Sequence, residues 1–392
     1  MVRKMTSVLA MVSIIALLSG CWDRREINDV AFVMATAYDK DEEGYRVSFQ
    51  FPLVGQLGSP GGGGGGTSGG KSWYMDSATG STIREADDHQ QQSLPRELYF
   101  GHRRVLIFGE ELARDNIATV TDISARLPEN RLTALAVVAK GQGRDILNAE
   151  STVERIPSEM IRELVIQTMG RPITIKMMID NLKSDGVDLM LPAIKLAKTE
   201  PGSAGKAESS IKLVNFAVFR GDRLSGFLDE ELTQGLLISS GYVRGPYITV
   251  NPPEGKEGRM TVRLVEIEQQ ITPLSTTPPY TYELSIRARG GVAENQSDFN
   301  LSHASHLVQV ERVLNDRITT MVEKALEELK RLKSDPLGFG DALYRKHPDI
   351  WHEIRHDWHE DFYSNIQVKV NSDIHIEYPG SLIFPTRKGV SQ

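Results

Sequence analysis

The sequence predicts a mixed α/β (α+β) chain of more than one domain, with mixed sheets and one long helix in its C-terminal half. Three observations carry this. Short runs that alternate apolar and polar residues recur along the chain, separated by stretches of helical period. Between about 303 and 333 the helical pattern is sustained: Leu307, Leu314 and Met321 repeat every seven residues, as do Ile318, Ala325 and Leu332, giving one apolar stripe. The length of 392 residues, at roughly 100–200 per domain, suits two or three domains.

In chain order, the first element is a leader. Arg3 and Lys4 form a basic start, residues 8–18 an apolar run, and Leu18-Ser19-Gly20-Cys21 closes it. The run is of signal-peptide length, well short of the roughly 20 residues that span a bilayer. Small residues before the only cysteine resemble a bacterial lipobox. That pattern predicts a signal peptide over 1–20, cleavage before Cys21, and diacylglycerol with a further acyl chain such as palmitate on that cysteine. An uncleaved anchor with a chance Cys is the alternative.

The apolar run 30–37 and the alternating Tyr45-Arg46-Val47-Ser48-Phe49-Gln50-Phe51 flank a turn-like Asp39-Lys40-Asp41-Glu42-Glu43-Gly44, which predicts a hairpin. Residues 58–72, centred on Gly61 to Gly66, predict a mobile glycine loop. A strand at 105–108, a helix at 116–126 and a strand at 132–139 predict a βαβ unit. Helices are predicted next at 157–169 and 174–182. The composition of 199–209 predicts a linker between an N-terminal region, 21–198, and a C-terminal domain, 210–385. The second half restarts with a hairpin, 213–219 and 224–228, around Arg220-Gly221-Asp222-Arg223. Strands are expected at 260–267 and 282–288, then the long helix, stopped by Ser334-Asp335-Pro336. An amphipathic helix is predicted over 349–362, with terminal strands through Ile366, Val368, Val370, Ile374 and Ile376.

Composition narrows the function classes. Hydrophobic residues at 40% and charged residues at 25% are ordinary globular values and exclude wholesale disorder. A net charge of −7 argues against nucleic-acid partners. A single cysteine precludes an internal disulfide and a Cys-rich zinc site.

Four short patterns bear on chemistry. Gly65-Gly66-Thr67-Ser68-Gly69-Gly70-Lys71-Ser72 matches a phosphate-binding loop, but polyglycine rather than a strand precedes it. His352-Glu353-Ile354-Arg355-His356 matches the zinc-hydrolase pattern H-E-x-x-H, with Glu377 the nearest candidate third ligand. On a helical wheel Trp351, Ile354, Trp358 and Phe362 would form the buried face, and His352, His356 and His359 a solvated stripe beside it. Arg220-Gly221-Asp222 has the composition of a hairpin turn. Two glycosylation sequons begin at Asn295 and Asn300. Gly-x-Ser-x-Gly is absent.

The block Cys21-Trp22-Asp23-Arg24-Arg25-Glu26-Ile27-Asn28 resembles the opening of the C-subunit lipoproteins of bacterial spore-germination nutrient receptors, the Ger(x)C family. Three further blocks agree in order: Leu94-Pro95-Arg96-Glu97-Leu98-Tyr99-Phe100-Gly101-His102-Arg103-Arg104-Val105, the hairpin from Phe216 to Leu228, and Asp335-Pro336-Leu337-Gly338-Phe339-Gly340 followed by Trp351. The motif positions that carry the resemblance are Trp22, Asp23, Glu26, Arg96, His102, Gly338, Phe339, Gly340 and Trp351. Two features depart from it: the glycine loop is longer, and H-E-x-x-H is not a family motif. The resemblance implies a non-enzymatic subunit without metal or cofactor beyond the lipid on Cys21. It would be anchored to the outer face of the spore's inner membrane and act with the integral-membrane A and B subunits in nutrient-triggered germination. The rivals are a solute-binding lipoprotein of a transporter and the zinc hydrolase. Trp22, with Arg24 and Arg25, would sit at the lipid headgroups or, in the competing reading, in the core of the first strand. Gly338 and Gly340 would permit a tight turn that places Phe339 against the long helix.

Overall fold

A computed structural model of the chain describes residues 27–53, 71–149, 154–198 and 209–378. Cys21, Trp22, Asp23 and Glu26, nearly all of the glycine loop, and residues 199–208 lie outside the described residues.

The N-terminal part begins with β1 (Val30–Phe32), β2 (Ala35–Asp41), β3 (Gly44–Pro52) and β4 (Trp73–Gly80). Helix α1 (Ile83–Ser93), β5 (Glu97–Tyr99) and β6 (Val105–Phe108) come next. Then come α2 (Glu110–Asp115), α3 (Ala118–Arg126), β7 (Leu135–Ala139), α4 (Gly143–Leu147), α5 (Pro157–Thr168) and α6 (Ile175–Leu182). Strands β8 (Met190–Lys198), β9 (Ser209–Arg220) and β10 (Arg223–Phe227) complete this part.

One eight-stranded sheet takes the order β10-β9-β8-β7-β6-β2-β3-β4. Its centre, β2-β6-β7-β8, is parallel, and antiparallel strands border it on both sides. Strands β6 and β7 are buried at every residue, the pattern expected where helices cover both faces. The expected β2–β3 hairpin forms with Asp41 opposite Gly44, whose φ of +133° only glycine adopts readily. The expected βαβ unit is present, with Val105 beside Leu135 in parallel register.

The expected linker does not divide the two bodies. Strands β8 and β9 pair antiparallel from Met190↔Val218 to Lys198↔Ser209, so residues 209–227 belong to the first sheet. A composition break marks where the chain is polar and small, whereas hydrogen-bond register decides which sheet a strand joins.

The second body begins after α7 (Glu230–Ser240). Strands β11 (Tyr247–Val250), β12 (Met260–Pro273) and β13 (Thr281–Asn295) are antiparallel. Helix α8 (Ala304–Arg331), α9 (Phe339–Lys346) and α10 (Pro348–Ile354) precede the edge strand β14 (Gln367–Tyr378), which runs parallel to β13. The expected terminal strands are thus one strand.

Helix α8 buries Val310, Leu314, Ile318, Met321, Val322, Ala325, Leu326 and Leu329, so the heptad stripe is its core face. Asn315 and Glu311 on α8 accept the N–H groups of Ile374 and Ile376 on β14 at 2.9 and 2.8 Å, which covers an edge that would otherwise offer open donors. Lys333, in the left-handed region at φ +51°, ends the helix, and Ser334 N–H bonds the Leu329 carbonyl.

Helix α7 crosses α8 closely: a Cβ on Gly235 would lie 2.5 Å from the Met321 carbonyl oxygen. It stands between the cores, placing Leu236 and Leu237 in the first and Ile238 in the second.

The amphipathic helix expected over 349–362 is not continuous. After Ile354 the backbone passes through a 3₁₀ turn (Arg355–Asp357), a π turn (Trp358–Phe362) and a second 3₁₀ turn (Tyr363–Asn365). The uniform helical wheel therefore misplaces His359, which turns to Asp188, although Trp358 is buried and His356 exposed as the wheel expects.

Because β8 and β9 share a ladder, cutting the chain between them should not separate the pieces. With a protease site engineered into 199–208, the two fragments should co-elute on native size exclusion and part only in denaturant. Fragments that separate natively would contradict the pairing.

Candidate functional site

The motif loop after α8 forms the joint between the two sheets. Asp335 has no accessible surface. Its Oδ1 accepts the N–H groups of Gly338 and Phe339 at 2.9 and 3.0 Å, and its Oδ2 those of Gly340 and the Trp358 indole at 2.9 and 3.2 Å. Asp–Pro and then Gly-Phe-Gly is the local code for this: the carboxylate reaches forward to amides that open α9.

The opposite wall is the loop between α6 and β8. Asp188, also buried, accepts Asp335 N–H at 2.7 Å through Oδ2 and Gly221 N–H at 3.0 Å through Oδ1, while its own N–H donates to the Asp335 carbonyl at 2.8 Å. His359 Nε2 lies 2.7 Å from Asp188 Oδ2. Ser334 donates to the Phe219 carbonyl at 2.5 Å, and Asp341 N–H to the Gly186 carbonyl at 2.8 Å. Outside this buried set, Glu360 pairs with both Arg220 and Lys333, and Arg355 with Asp185 at 3.0 Å. Such exposed pairs contribute only about 0–1 kcal/mol each.

Two glycines make the approach possible. Gly338 sits in the left-handed region at φ +78°. A Cβ on Gly340 would lie 2.6 Å from Trp351 Cη2 and 3.0 Å from Gly186 Cα. Of the sequence-predicted residues, Gly338, Phe339, Gly340 and Trp351 are therefore brought together here. Phe339 is fully buried, but its aromatic neighbours are Tyr282 on β13, edge-on at 5.1 Å, and Tyr363, rather than groups on the long helix alone.

Arg96 and His102 lie elsewhere. Arg96 is exposed. His102 is also exposed and meets Phe32 edge-on at 5.0 Å and Tyr99 at 5.9 Å, beside the β1–β5 pair.

Sequence reasoning misses three members of the joint. Asp188 and Gly186 lie in Ser184-Asp185-Gly186-Val187-Asp188, which reads only as a turn. The helical wheel puts His359 in a solvated stripe, and the π turn directs it to Asp188 instead. Nothing in a one-dimensional pattern foretells that turn, although Asp335 before Pro336 and two glycines is a legible capping signal.

The other patterns resolve in place. Residues of H-E-x-x-H do not share one continuous α-helix: His352 is in α10, with Nδ1 2.7 Å from the Pro348 carbonyl, and His356 is in the 3₁₀ turn. His352, Glu353 and His356 are exposed, while Glu377 pairs with Arg289 at 3.0 Å. Among the described residues no three His, Cys, Asp or Glu side chains cluster to hold a metal ion. Lys71-Ser72 leads into β4, not a helix, so no helix N-terminus opens there. Arg220-Gly221-Asp222 is the β9–β10 turn, and its Gly221 amide serves the joint.

Burial pushes the Asp335 carboxyl up to about 7, against the Gly340 and Phe339 amides, which favour the anion. For His359 burial alone acts downward, but its hydrogen bond to Asp188 and the charges of Asp188 and Asp335 outweigh it and raise the imidazole above its usual value. The lone pairs of Asp335 are taken up by N–H donors and the group is sealed from solvent. Its chemistry here is to organise backbone.

A mixed α/β protein of two main sheets and a small two-stranded one, whose family-like loop forms a buried polar joint between the main two, is the class that fold and site define. Comparison with known proteins agrees. Residues 23–196 match the family described as spore germination protein N-terminal domain, and residues 215–380 match spore germination B3/GerAC-like, C-terminal. The chain is 40% identical over 367 residues to putative spore germination protein YfkR of Bacillus subtilis (strain 168), covering 93% of this chain and 94% of that one. It is 26% identical to spore germination protein KC of the same strain, covering 97% of each. A crystal structure of the GerBC protein superposes with a TM-score of 0.55 at 21% identity, over 91% of this chain and 100% of that one, which shows the shared fold. The chain belongs to the Ger(x)C family of spore germination proteins.

Two outcomes are expected of the joint. Phe339→Ala should lower stability by about 3–5 kcal/mol, and Gly340→Ala by about 1–3 kcal/mol through overpacking against Trp351, read by denaturant unfolding. Near-wild-type stability in both would refute the packing described. The second outcome concerns pH. Asp335 and His359 both hold their protons more tightly folded than unfolded, so their contributions are complete in acid. The first is lost as pH rises from about 4 towards 7, the second as pH rises through the elevated imidazole value. The melting temperature should fall from about pH 5 to pH 8 less steeply in His359→Gln than in the natural chain. Equal slopes would remove His359 from the account.

Proposed function

We propose that this chain is a non-enzymatic subunit of a spore germinant receptor, tethered through lipid on Cys21 to the outer face of the spore's inner membrane and acting with integral-membrane subunits. The observation that carries the reading is that both family matches, and relatives named as spore germination proteins, run through nearly the whole chain. The joint supports it as well. A solute-binding lipoprotein closes two lobes around its ligand, whereas here buried hydrogen bonds from Asp335 and Asp188 already lock the two bodies together. No helix among the described residues is long and apolar enough to cross a membrane.

The test is recovery of the tagged chain from spore membranes in mild detergent. Multi-span subunits should copurify, and its intact mass should include a diacylglyceryl group on Cys21. His352→Ala and Glu353→Ala should leave nutrient-triggered germination nearly intact at normal protein level. Loss of germination in Glu353→Ala, with the protein still present, would overturn the non-enzymatic reading.

A further inference from the structure

A cavity of about 250 Å³ opens at the start of β6 and β7, and Arg103, Arg104, Arg131 and Arg162 line it together with Thr133 and Thr174. Among the described residues its arginines outnumber the carboxylates paired with them. Arg103 is 1% exposed; its Nη1 and Nη2 donate to neutral oxygens, Tyr38 Oη at 3.3 Å and Asn130 Oδ1 at 3.1 Å, and its Nε has no hydrogen-bond partner among the described residues. Arg131 Nε donates to Thr133 Oγ1 at 3.0 Å, another neutral group. Glu159 is shared, 3.3 Å from Arg104 and 3.9 Å from Arg162, and Glu163 pairs with Arg162. Among the described residues, the four guanidinium groups have two carboxylates in ion pairs, Glu159 and Glu163, in a chain whose net charge is −7. Asp87 also bears on Arg103 through charge, and burial pushes its carboxyl up to about 7, so its compensation weakens near neutrality. A buried cation whose hydrogen bonds go only to neutral oxygens is costly, and an anion entering the cavity relieves that cost.

We propose that this cavity binds a phosphate group, and that an anionic phospholipid headgroup supplies it. The chemistry rests on the arginines, whose planar forks match phosphate oxygens two at a time. The cavity is too small for a drug-sized ligand and suited to one oxyanion.

The source is argued from position. Arg104 N–H donates to the Met34 carbonyl at 2.7 Å, Leu135 N–H to the Arg104 carbonyl at 2.9 Å, and Ala35, Val105 and Leu135 are in register. The cavity therefore lies at the end of the sheet where the chain enters through β1. Cys21 precedes Val30 by nine residues, a reach of at most about 30 Å. The phosphate site stands independently of the germination reading; only its lipid source rests on the Cys21 anchor.

The experiment uses the full-length chain in two settings. In neutral detergent, inorganic phosphate at constant ionic strength should raise the melting temperature saturably where chloride does not. Arg131→Gln and Arg104→Gln should each weaken that response at least about tenfold, while Arg289→Gln, the same charge change in the second body, should not. In nanodiscs, hydrogen exchange across 131–135 should slow when phosphatidylglycerol is added to phosphatidylcholine, and the arginine substitutions should abolish the slowing. A phosphate response without lipid-dependent protection would uphold the site and overturn the lipid source. No phosphate response, or one that the Arg104 and Arg131 substitutions leave unchanged, would overturn the site. Absence of lipid on Cys21 leaves the detergent result unaffected, so failure of the anchor and failure of the site are distinguishable.

Discussion

A carboxylate with no access to water must have its lone pairs filled by protein donors, and the rest of the joint depends on how Asp335 meets that demand. Amides of three successive residues converge on it, which requires a left-handed turn at Gly338 and leaves no room for a side chain at Gly340. That turn sets Trp351 over Gly340 and sends Phe339 into the second core. The fourth donor, the Trp358 indole, comes from beyond α10. Its position depends on the break in the helix that also swings His359 to Asp188.

The two main sheets keep separate hydrophobic cores; apolar residues of α7 and α8 reach both, and the buried polar groups add directional bonds between them. Apolar interfaces tolerate sliding better than directional bonds do. Here the Asp188 N–H donates to the Asp335 carbonyl and the Asp335 N–H to the Asp188 carboxylate, with further side-chain contacts on both sides, so the geometry of the joint is specified as well as stabilised. Two bodies held in this way move together.

The patterns that most resemble catalytic or binding motifs show why spacing alone misleads. H-E-x-x-H requires one regular helix to align its two histidines, and the backbone leaves the α conformation after Ile354. Arg220-Gly221-Asp222 is a turn because two alternating strands flank it, and tertiary structure then enlists its Gly221 amide for Asp188. In each case the local backbone, not the residue identities, decides what the side chains can do.

From the sequence alone came the mixed α/β class, the β2–β3 and β9–β10 hairpins, the βαβ unit and the long helix with its buried stripe. All rest on hydrophobic periodicity or turn chemistry, which are properties of neighbouring residues. The resemblance also singled out Gly338, Phe339, Gly340 and Trp351 as a group, though not what they surround. Tertiary structure decided the rest. That β9 and β10 join the first sheet across residues 199–208 is a matter of which ladder their N–H groups complete. That Asp188, Asp335 and His359 meet depends on chain segments about 150–170 residues apart coming together. Local pattern carries no term for contacts at that range, because the energy that selects them appears only when both sheets are already formed.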